Sequence, residues 1–453
     1  MKRFDVIVVG AGSGGCMAAK TVAAGGFDVC LVERKREENI GIKVCGDAIG
    51  SHHFDLLKLE YPTGEELEHK IIGAKIYSPD GSQVFRVEMA DFHGFIVNRR
   101  LFGQRLLKNA IDAGSSLLDS IQVIDPIIKN GFVKGVSAKD LKTGRKIQLH
   151  AKVVVDASGY SAVLRKKLPP EMEMENKIDE EDVVICYREI RKLKKAFIDP
   201  DFCELYLSRE IAPGGYAWAF PEGNHKVNVG LGVAIVKGFP NPKKLLYKHI
   251  LSKSQFKGST LVTGGGGHDP TRRPLNCMTG NGILIVGDAA CQVNPIHGGG
   301  IGPSMQGGVL SGETIIKALD GDDVNREALW EYNRLYMQSY GAKQAGLDVF
   351  RIFLQGLTNE DFNYAMKYRL VTEDDLLKAS INGEARLNIT EVAIRIFRGL
   401  RKLSLLNRLQ DAAKMMKEIK TFYQNYPTSP KGFNKWLKDV QDVYKEVEFK
   451  FKK

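Results

Sequence analysis

The hydrophobic pattern opens on a short apolar run, Phe4–Val9, with the length and β-branched content of a strand buried on both faces. A glycine-rich turn follows, then helix-compatible residues up to Gly25-Gly26, then a second apolar run over 27–33. Strand, helix and strand in that order predict a βαβ unit. Residues 71–90 alternate about Asp80-Gly81 and predict a hairpin. Leu101, Leu106, Leu107 and Ala110 fall at helical spacing, so 99–113 is predicted as a helix. Residues 117–140 return to strand-like pairs, and Lys152–Asp156 reads as another buried strand. From 183 to 236 the strand patterns are longer and predict an antiparallel sheet distinct from the first domain. Gly282–Gly287 is again of the parallel type, followed by a glycine-rich loop and a helix from about 302. Beyond 320 the pattern is almost wholly helical.

The fold class implied is α/β: a Rossmann-type, discontinuous nucleotide-binding domain, an inserted antiparallel β-sheet domain that carries substrate, and a C-terminal helical domain. The expected boundaries are 1–70, 92–170 and 275–325 for the first, 71–91 and 171–274 for the second, and 326–453 for the third. A length of 453 residues suits two to three domains at roughly 150 residues each. Sixty-five Lys and Arg against 54 Asp and Glu leave a formal charge of +11, which favours anionic partners as much as it suits a plain basic surface. No RNA- or DNA-binding motif accompanies the charge, so no nucleic-acid partner is expected. The seven cysteines (Cys16, Cys30, Cys45, Cys186, Cys203, Cys277, Cys291) are odd in number, with no C-x-x-C pair and no metal-like spacing. They point to a reducing compartment and to no metal site. No apolar stretch approaches the roughly 18 residues of a membrane span, so the expected location is cytoplasmic, at most peripheral at the inner face of the membrane. Leu405, Leu409, Ala412, Met416, Ile419 and Tyr423 form one helical stripe in the tail, following Ile394 and Phe397 and decorated by Arg398, Arg401, Lys402, Arg408, Lys414, Lys417 and Lys420. Two readings stand: a basic helix on an anionic membrane surface, or a helix whose stripe covers the core. The balance favours the core.

The glycines carry the first chemistry. Gly10, Gly12 and Gly15, with Gly14 between, spell G-x-G-x-x-G directly after a strand and before a helix. Glu33, with Arg34 beside it, ends the second strand. In that context the first glycine allows the tight turn, the second lets backbone N–H groups approach a pyrophosphate, and the third lets helix and strand pack closely. The helix N-terminus stabilises the phosphate charge. Glu33 can accept hydrogen bonds from ribose hydroxyls and would repel a 2′-phosphate, which favours FAD or NAD over NADP at this site.

A second loop narrows the cofactor. Gly287-Asp288-Ala289-Ala290, then Pro295 and Gly298-Gly299-Gly300-Ile301, resembles the second FAD fingerprint of the p-hydroxybenzoate-hydroxylase-like flavoproteins. The resemblance implies that Asp288 binds the ribityl and pyrophosphate region and that Gly299, Gly300 and Ile301 lie beside the isoalloxazine ring. A helix starting near Ile301 would aim its positive end at the pyrimidine side of that ring. Asp156-Ala157-Ser158-Gly159-Tyr160-Ser161, with Arg165 after it, resembles a third motif of the family but departs from the form with adjacent Asp and Gly. By the same resemblance Arg99 is the arginine near the cofactor, and Val123 holds the strand position whose backbone meets adenine.

Tyr216, Trp218 and Phe220 alternate with Ala217 and Ala219, so on a strand three large aromatics share one face. Such a wall suits a long hydrocarbon better than a small polar acid. Tyr216-Ala-Trp218-Ala-Phe220-Pro221 resembles the Y-x-W-x-F-P signature of geranylgeranyl reductases, and Lys43-Val44-Cys45-Gly46 their K-x-C-G loop beside the flavin, closest to the archaeal branch. The resemblance covers the first 320 or so residues. It departs at Asp47, where many relatives have Gly, and at His297, where many have Thr. It implies an FAD-dependent oxidoreductase that saturates the C=C bonds of geranylgeranyl chains, in archaeal-type membrane phospholipids, in geranylgeranyl diphosphate, or in both. The long-chain polyprenyl lipid is then its partner molecule. Reduced flavin supplies the hydride from N5, and protonation of the alkene develops cationic character that aromatic faces stabilise. Tyr216, Trp218 and Phe220 shape the pocket. The proton donor stays open among Cys45, Tyr216, His297 and water, and the external reductant among NADH, NADPH, a quinol and ferredoxin, the last a protein redox partner. Cys45 and Gly46 also count among the flavin contacts. Thr372 is expected to cap a helix whose Leu376 and Leu377 close the far end of a lipid tunnel. The alternative of the same fold is an FAD-dependent aromatic monooxygenase or halogenase.

Overall fold

In the computed structural model, residues 2–88, 93–235, 238, 240–376 and 402–452 are described. Leu377, Ile394, Phe397, Arg398 and Arg401 lie outside them.

The apolar runs of the first and third segments come together in one eight-stranded sheet. Its path runs Thr279–Gly280, Ile283–Ile285, Lys146–Asp156, Lys2–Val9, Val29–Val32, Ser116–Leu118. Lys2–Val9 pairs in parallel with both Lys146–Asp156 and Val29–Val32, and Ile283–Ile285 in parallel with Lys146–Asp156. Val6, Ile7, Val8, Val154 and Leu284 are fully buried, as strands covered on both faces require. The antiparallel ribbon Ile121–Lys129 and Phe132–Asp140 branches from Lys146–Asp156. Helices Ser13–Ala24 and Ile301–Asp320 cross at van der Waals distance because glycines face each other: a Cβ on Gly308 would lie 2.3 Å from the Gly14 carbonyl oxygen.

The second sheet has seven strands, ordered Thr260–Asp269, Val184–Lys192, Lys226–Ala234, Ala217–Pro221, Phe202–Tyr206, Gly73–Tyr77, Val84–Glu88. The hairpin about Asp80-Gly81 thus joins strands far away in sequence. One pair departs from the expected antiparallel arrangement: Phe202–Tyr206 runs parallel to Gly73–Tyr77. A small third sheet of Ala48–Gly50, Gly94–Val97 and Leu67–Ile71 was not foreseen. Its strands are three to five residues long, too short to show alternation.

Among the described residues no helix is long and apolar enough to cross a membrane. Leu405, Leu409, Ala412, Met416, Ile419 and Tyr423 of helix Leu403–Gln424 are all buried in the main core, so that stripe is taken up by the protein itself. Thr372 and Asp375 form a reciprocal capping box, with the Thr372 hydroxyl accepting the Asp375 N–H at 3.3 Å and the Asp375 carboxylate accepting the Thr372 N–H at 2.8 Å.

Candidate active site

The loop between Lys2–Val9 and Ser13–Ala24 shows what each glycine does. Gly10 has φ +102°, and a Cβ on Gly15 would lie 1.9 Å from the Gly10 carbonyl oxygen, so helix and strand close tightly only without side chains there. Gly12 is the helix N-cap, no side chain caps the helix, and nothing lies within 4 Å of its would-be Cβ. The Glu33 carboxylate anchors the loop by accepting the N–H groups of Ala11 and Lys35, each at 2.9 Å. Gly14 faces inward as well, with the Ser304 carbonyl oxygen 2.9 Å from its would-be Cβ.

From Gly12, Gly14 and Gly15 a cavity of about 860 Å³ runs past Arg99, Lys43–Asp47 and Asp288 to Gly299, Gly300 and Ile301. It continues along Tyr216, Trp218 and Phe220 into an apolar end lined by Phe85, Val87, Leu205, Leu370, Leu405 and Leu409. Leu376 lines it too. Of the residues expected at the site, Gly10, Glu33, Arg34 and Val123 are not in its wall. Arg34 is exposed, and Val123 is packed in the core.

The residues fit FAD. The open space before Gly12 sits at a helix N-terminus, where backbone N–H groups await an anion. Arg99 donates through Nη2 to Ser13 Oγ at 2.9 Å, while its buried Nε has no partner. Helix Ile301–Asp320 starts at Gly300 with no side-chain cap, leaving its first N–H groups to a ligand. The Lys43 ammonium and the Asp288 carboxylate pair at 2.7 Å, joining the K-x-C-G loop to the second glycine loop. Asp156, by contrast, spends both oxygens on its own loop, accepting from Ser158 N–H and O–H and from the N–H groups of Leu164 and Arg165.

The aromatic wall has the predicted alternation. Tyr216, Trp218 and Phe220 face the cavity, whereas Ala217 and Ala219 belong to the sheet's own core. Ring centroids lie 6.0 Å apart for Tyr216 and Trp218 and 6.1 Å for Trp218 and Phe220. A Cβ on Gly46 would press on the Phe220 ring at 3.0 Å. A polar chain fixes this junction. Trp218 Nε1 donates to Asn228 Oδ1 at 3.1 Å, and Asn228 Nδ2 donates to the Cys45 carbonyl at 2.9 Å and to Asp47 Oδ2 at 2.8 Å. Arg188 Nε donates to the same Cys45 carbonyl at 3.2 Å.

The candidate proton donors now separate. The half-buried Cys45 thiol is pushed up to about 11, by desolvation first and by Asp47 second, so it keeps its proton at neutral pH. Burial also raises the Tyr216 phenol, whose O–H donates to the His297 carbonyl at 2.7 Å. His297 is lowered to about 4 by burial and by Lys343, and its Nδ1 accepts the Gly299 N–H at 3.1 Å. Its ring is therefore neutral, with the proton on Nε2. Asp47 was marked in the sequence only as a departure. It has a left-handed backbone (φ +62°), is almost wholly buried, leaves Oδ1 without a partner, and is raised to about 7 by burial against the opposing pull of Arg188 and Arg99. Burial also raises the Asp269 carboxyl, helped by Asp288. Asp269 sits in the cavity wall beside Gly298, whose would-be Cβ is 2.7 Å from its Oδ2. No local motif marked Asp269 or Asn228, because sheet pairing brings them in.

A Rossmann-type sheet with two glycine loops on one cavity, and an aromatic-walled sheet beside it, define a flavin-dependent oxidoreductase, and FAD is its cofactor. Residues 182–268 match the geranylgeranyl reductase catalytic domain and residues 5–72 the family described as glucose inhibited division protein A. The chain belongs to the digeranylgeranylglycerophospholipid reductases. It is 42% identical over 446 residues to the digeranylgeranylglycerophospholipid reductase of Sulfolobus acidocaldarius, covering 98% of each chain. It is 33% identical over 392 residues to that of Methanothrix thermoacetophila, covering 85% of this chain and 96% of the relative. The fold is shared with a geranylgeranyl bacteriochlorophyll reductase-like protein of Thermoplasma acidophilum, at TM-score 0.77 and 22% identity over 91% of this chain and all of that one. It is shared more distantly with the myxobacterial chondrochloren halogenase, at TM-score 0.64 and 18% identity over 88% of this chain and 97% of that one. That likeness concerns architecture alone.

Proposed function

We infer that the protein is an FAD-dependent reductase that saturates the C=C bonds of geranylgeranyl chains carried by archaeal-type membrane phospholipids. The observation that carries this reading is the continuity of one cavity, from the loops that fit the cofactor, along Tyr216, Trp218 and Phe220, to an end rich in apolar residues, among them Leu205, Leu370, Leu405 and Leu409. A small aromatic substrate would leave that end unfilled.

Bound FAD in its reduced form supplies hydride to the alkene. The chain's own residues do the rest. The apolar wall excludes water, and the faces of Tyr216, Trp218 and Phe220 stabilise positive charge as it develops on carbon. Arg99 and the Gly12 loop would hold the diphosphate, and the Lys43–Asp288 pair closes the two loops on each other. The proton comes from a group that still carries one at neutral pH inside the cavity. The Cys45 thiol meets that condition and lies on the loop that Gly46 presses to Phe220. His297, neutral and anchored by Nδ1, does not act as an imidazolium acid. At the membrane the enzyme draws its lipid through contacts other than the buried stripe of helix Leu403–Gln424.

The test is anaerobic incubation of the purified yellow protein with dithionite and a digeranylgeranylglyceryl phospholipid. Mass spectrometry should show two hydrogens gained per double bond. Product formation that depends on oxygen, or a protein that takes up no FAD, would defeat the reading.

A further inference from the structure

Every alkene that is saturated consumes one proton, and a cavity that excludes water must have that proton delivered. The Cys45 thiol can give its proton once, and must then be reprotonated while lipid fills the space in front of it. Asp47, two residues further along the same loop, is placed to do this. Its carboxyl lines the cavity and is almost wholly buried, and Oδ1 has no hydrogen-bond partner among the described residues. Thiol and carboxyl act on each other: Asp47 pushes the thiol up, and Cys45 pulls the carboxyl down. The Asn228 amide holds them in register, since Nδ2 donates both to the Cys45 carbonyl at 2.9 Å and to Asp47 Oδ2 at 2.8 Å. The left-handed backbone at Asp47 (φ +62°) would relax with glycine, yet a carboxyl is kept there.

A second buried carboxyl stands behind the first. Glu222 follows strand Ala217–Pro221 and lies outside the cavity wall. It is the like charge that acts on Asp47, while Arg188 is the opposite charge that acts on both, and Arg99 is the other cation facing Asp47. Arg188 is an incomplete counter-ion: its Nη2 lies 3.8 Å from Asp47 Oδ2, and its Nε donates to the Cys45 carbonyl. Further out, the Lys226 ammonium lies 3.1 Å from Glu222 Oε2 and 2.7 Å from Glu68 Oε2. Lys226 and Glu68 are half-buried, next to the exposed turn Asn224-His225. Burial raises Asp47 and Glu222 alike, so each holds a proton more readily than an exposed carboxyl does. We propose that Asp47 reprotonates the Cys45 thiolate between successive reductions, and that Glu68, Lys226 and Glu222 bring its protons in from the surface. This rests on the reductase reading above, with Cys45 as the donor. The alkene π bond opens, one carbon takes hydride from the reduced flavin, and its neighbour takes the thiol proton. The S–H bond breaks and leaves a thiolate, which takes the carboxyl proton of Asp47. The Asp47 carboxylate then regains a proton from solvent through Glu222, and all the electrons come from the flavin.

Prereduced holoenzyme is mixed, without oxygen, with dithionite and an excess of a digeranylgeranylglyceryl phospholipid. Mass spectrometry counts double bonds reduced per enzyme, and absorbance follows the flavin. Asparagine keeps the volume of Asp47 and tolerates a left-handed backbone. Asp47→Asn is expected to reduce one double bond per enzyme quickly and the rest about a hundredfold more slowly than wild type, with the flavin standing reduced throughout the slow phase. Asp47→Glu should recover most of the rate. Glu222→Gln should give the same two phases, which covers the case in which Asp47→Asn does not fold. In oxidised holoenzyme, without turnover, the infrared band of a protonated carboxyl should fade between about pH 5 and about pH 9 and be missing from Asp47→Asn. A single slow phase from the first double bond onward would overturn the proposal, as would a flavin standing oxidised during the slow phase, which places the delay in electron supply. Wild-type rates in Glu222→Gln would overturn it too. A wild type that reduces no double bond would defeat the reductase reading and the relay together, whereas a wild type that reduces them beside an equally fast Asp47→Asn would defeat the relay alone.

Discussion

Gly12→Ser separates the cofactor's need for glycine from the fold's. The Gly12 backbone is extended (φ −78°, ψ −177°), which any residue adopts, and its Cβ would meet nothing within 4 Å. Serine is also a better helix N-cap than glycine, so the apoprotein should keep or slightly gain stability. What changes is the space and the donors. The new hydroxyl oxygen accepts an N–H of the first helical turn, one of the groups a diphosphate would otherwise use. A charge-assisted hydrogen bond is worth about 1.5–3 kcal/mol, so FAD affinity should fall about 10- to 150-fold. Gly15→Ala is the contrast. Its methyl would sit 1.9 Å from the Gly10 carbonyl oxygen, so strand and helix must part. Overpacking of that kind costs about 3 kcal/mol, at the upper end of the usual range, and here it falls on the apoprotein. The assays are thermal and urea unfolding of both apoproteins, and fluorescence titration with FAD. Unchanged FAD affinity in Gly12→Ser would refute the placement of the diphosphate at this loop. A destabilised Gly12→Ser apoprotein would refute the claim that the space is free.

Three further outcomes follow from the buried groups. Cys45→Ser should slow alkene reduction more than it slows reduction of the flavin, and equal single-turnover rates for wild type and variant would remove the thiol from the mechanism. Asp47 titrates near 7 in the folded protein against 3.8 for a free carboxyl, so the folded state holds the extra proton between those values. Its contribution to stability therefore declines as pH rises from about 4 to about 7 and then levels off; Asp47→Asn should flatten that decline, and parallel urea-unfolding curves for wild type and variant at pH 5 and pH 8 would contradict it. Tyr216→Phe removes the 2.7 Å bond to the His297 carbonyl, with an expected loss of about 1 kcal/mol in unfolding free energy and retained alkene reduction. Abolished reduction with normal FAD binding would instead make the phenol the proton donor.

The fold was legible wherever one element's own pattern settles its neighbours. Val6–Val9 and Val153–Val155 read as strands buried on both faces and are paired in parallel. The alternation from Tyr216 to Phe220 predicted which residues line the cavity and which face the sheet core. Less could be read where pairing joins distant segments. Nothing near Phe202 says that it runs parallel to Gly73, and Ala48–Gly50 is too short to carry a period. The stripe from Leu405 to Tyr423 allowed both a membrane and a core partner, because amphipathicity specifies an apolar neighbour without saying which. Packing against the body of the protein decided it.

The site divides along the same line, for a chemical reason. A glycine loop acts through backbone N–H groups, so its residues must be contiguous and their spacing shows in the sequence. Side-chain chemistry carries no such constraint. Asp47 acquires its raised carboxyl through burial, where Asn228 and Arg188, on two strands of the other sheet, meet the K-x-C-G loop, and the Arg188 charge pulls the other way. His53, His297 and Lys343 stand 244 and 46 residues apart in sequence and share one wall. Each alone reads as an ordinary basic residue, and the net charge of +11 hides them further. The motifs therefore announced where electrons are held, whereas side chains that meet only through the pairing of distant segments had to wait for the fold.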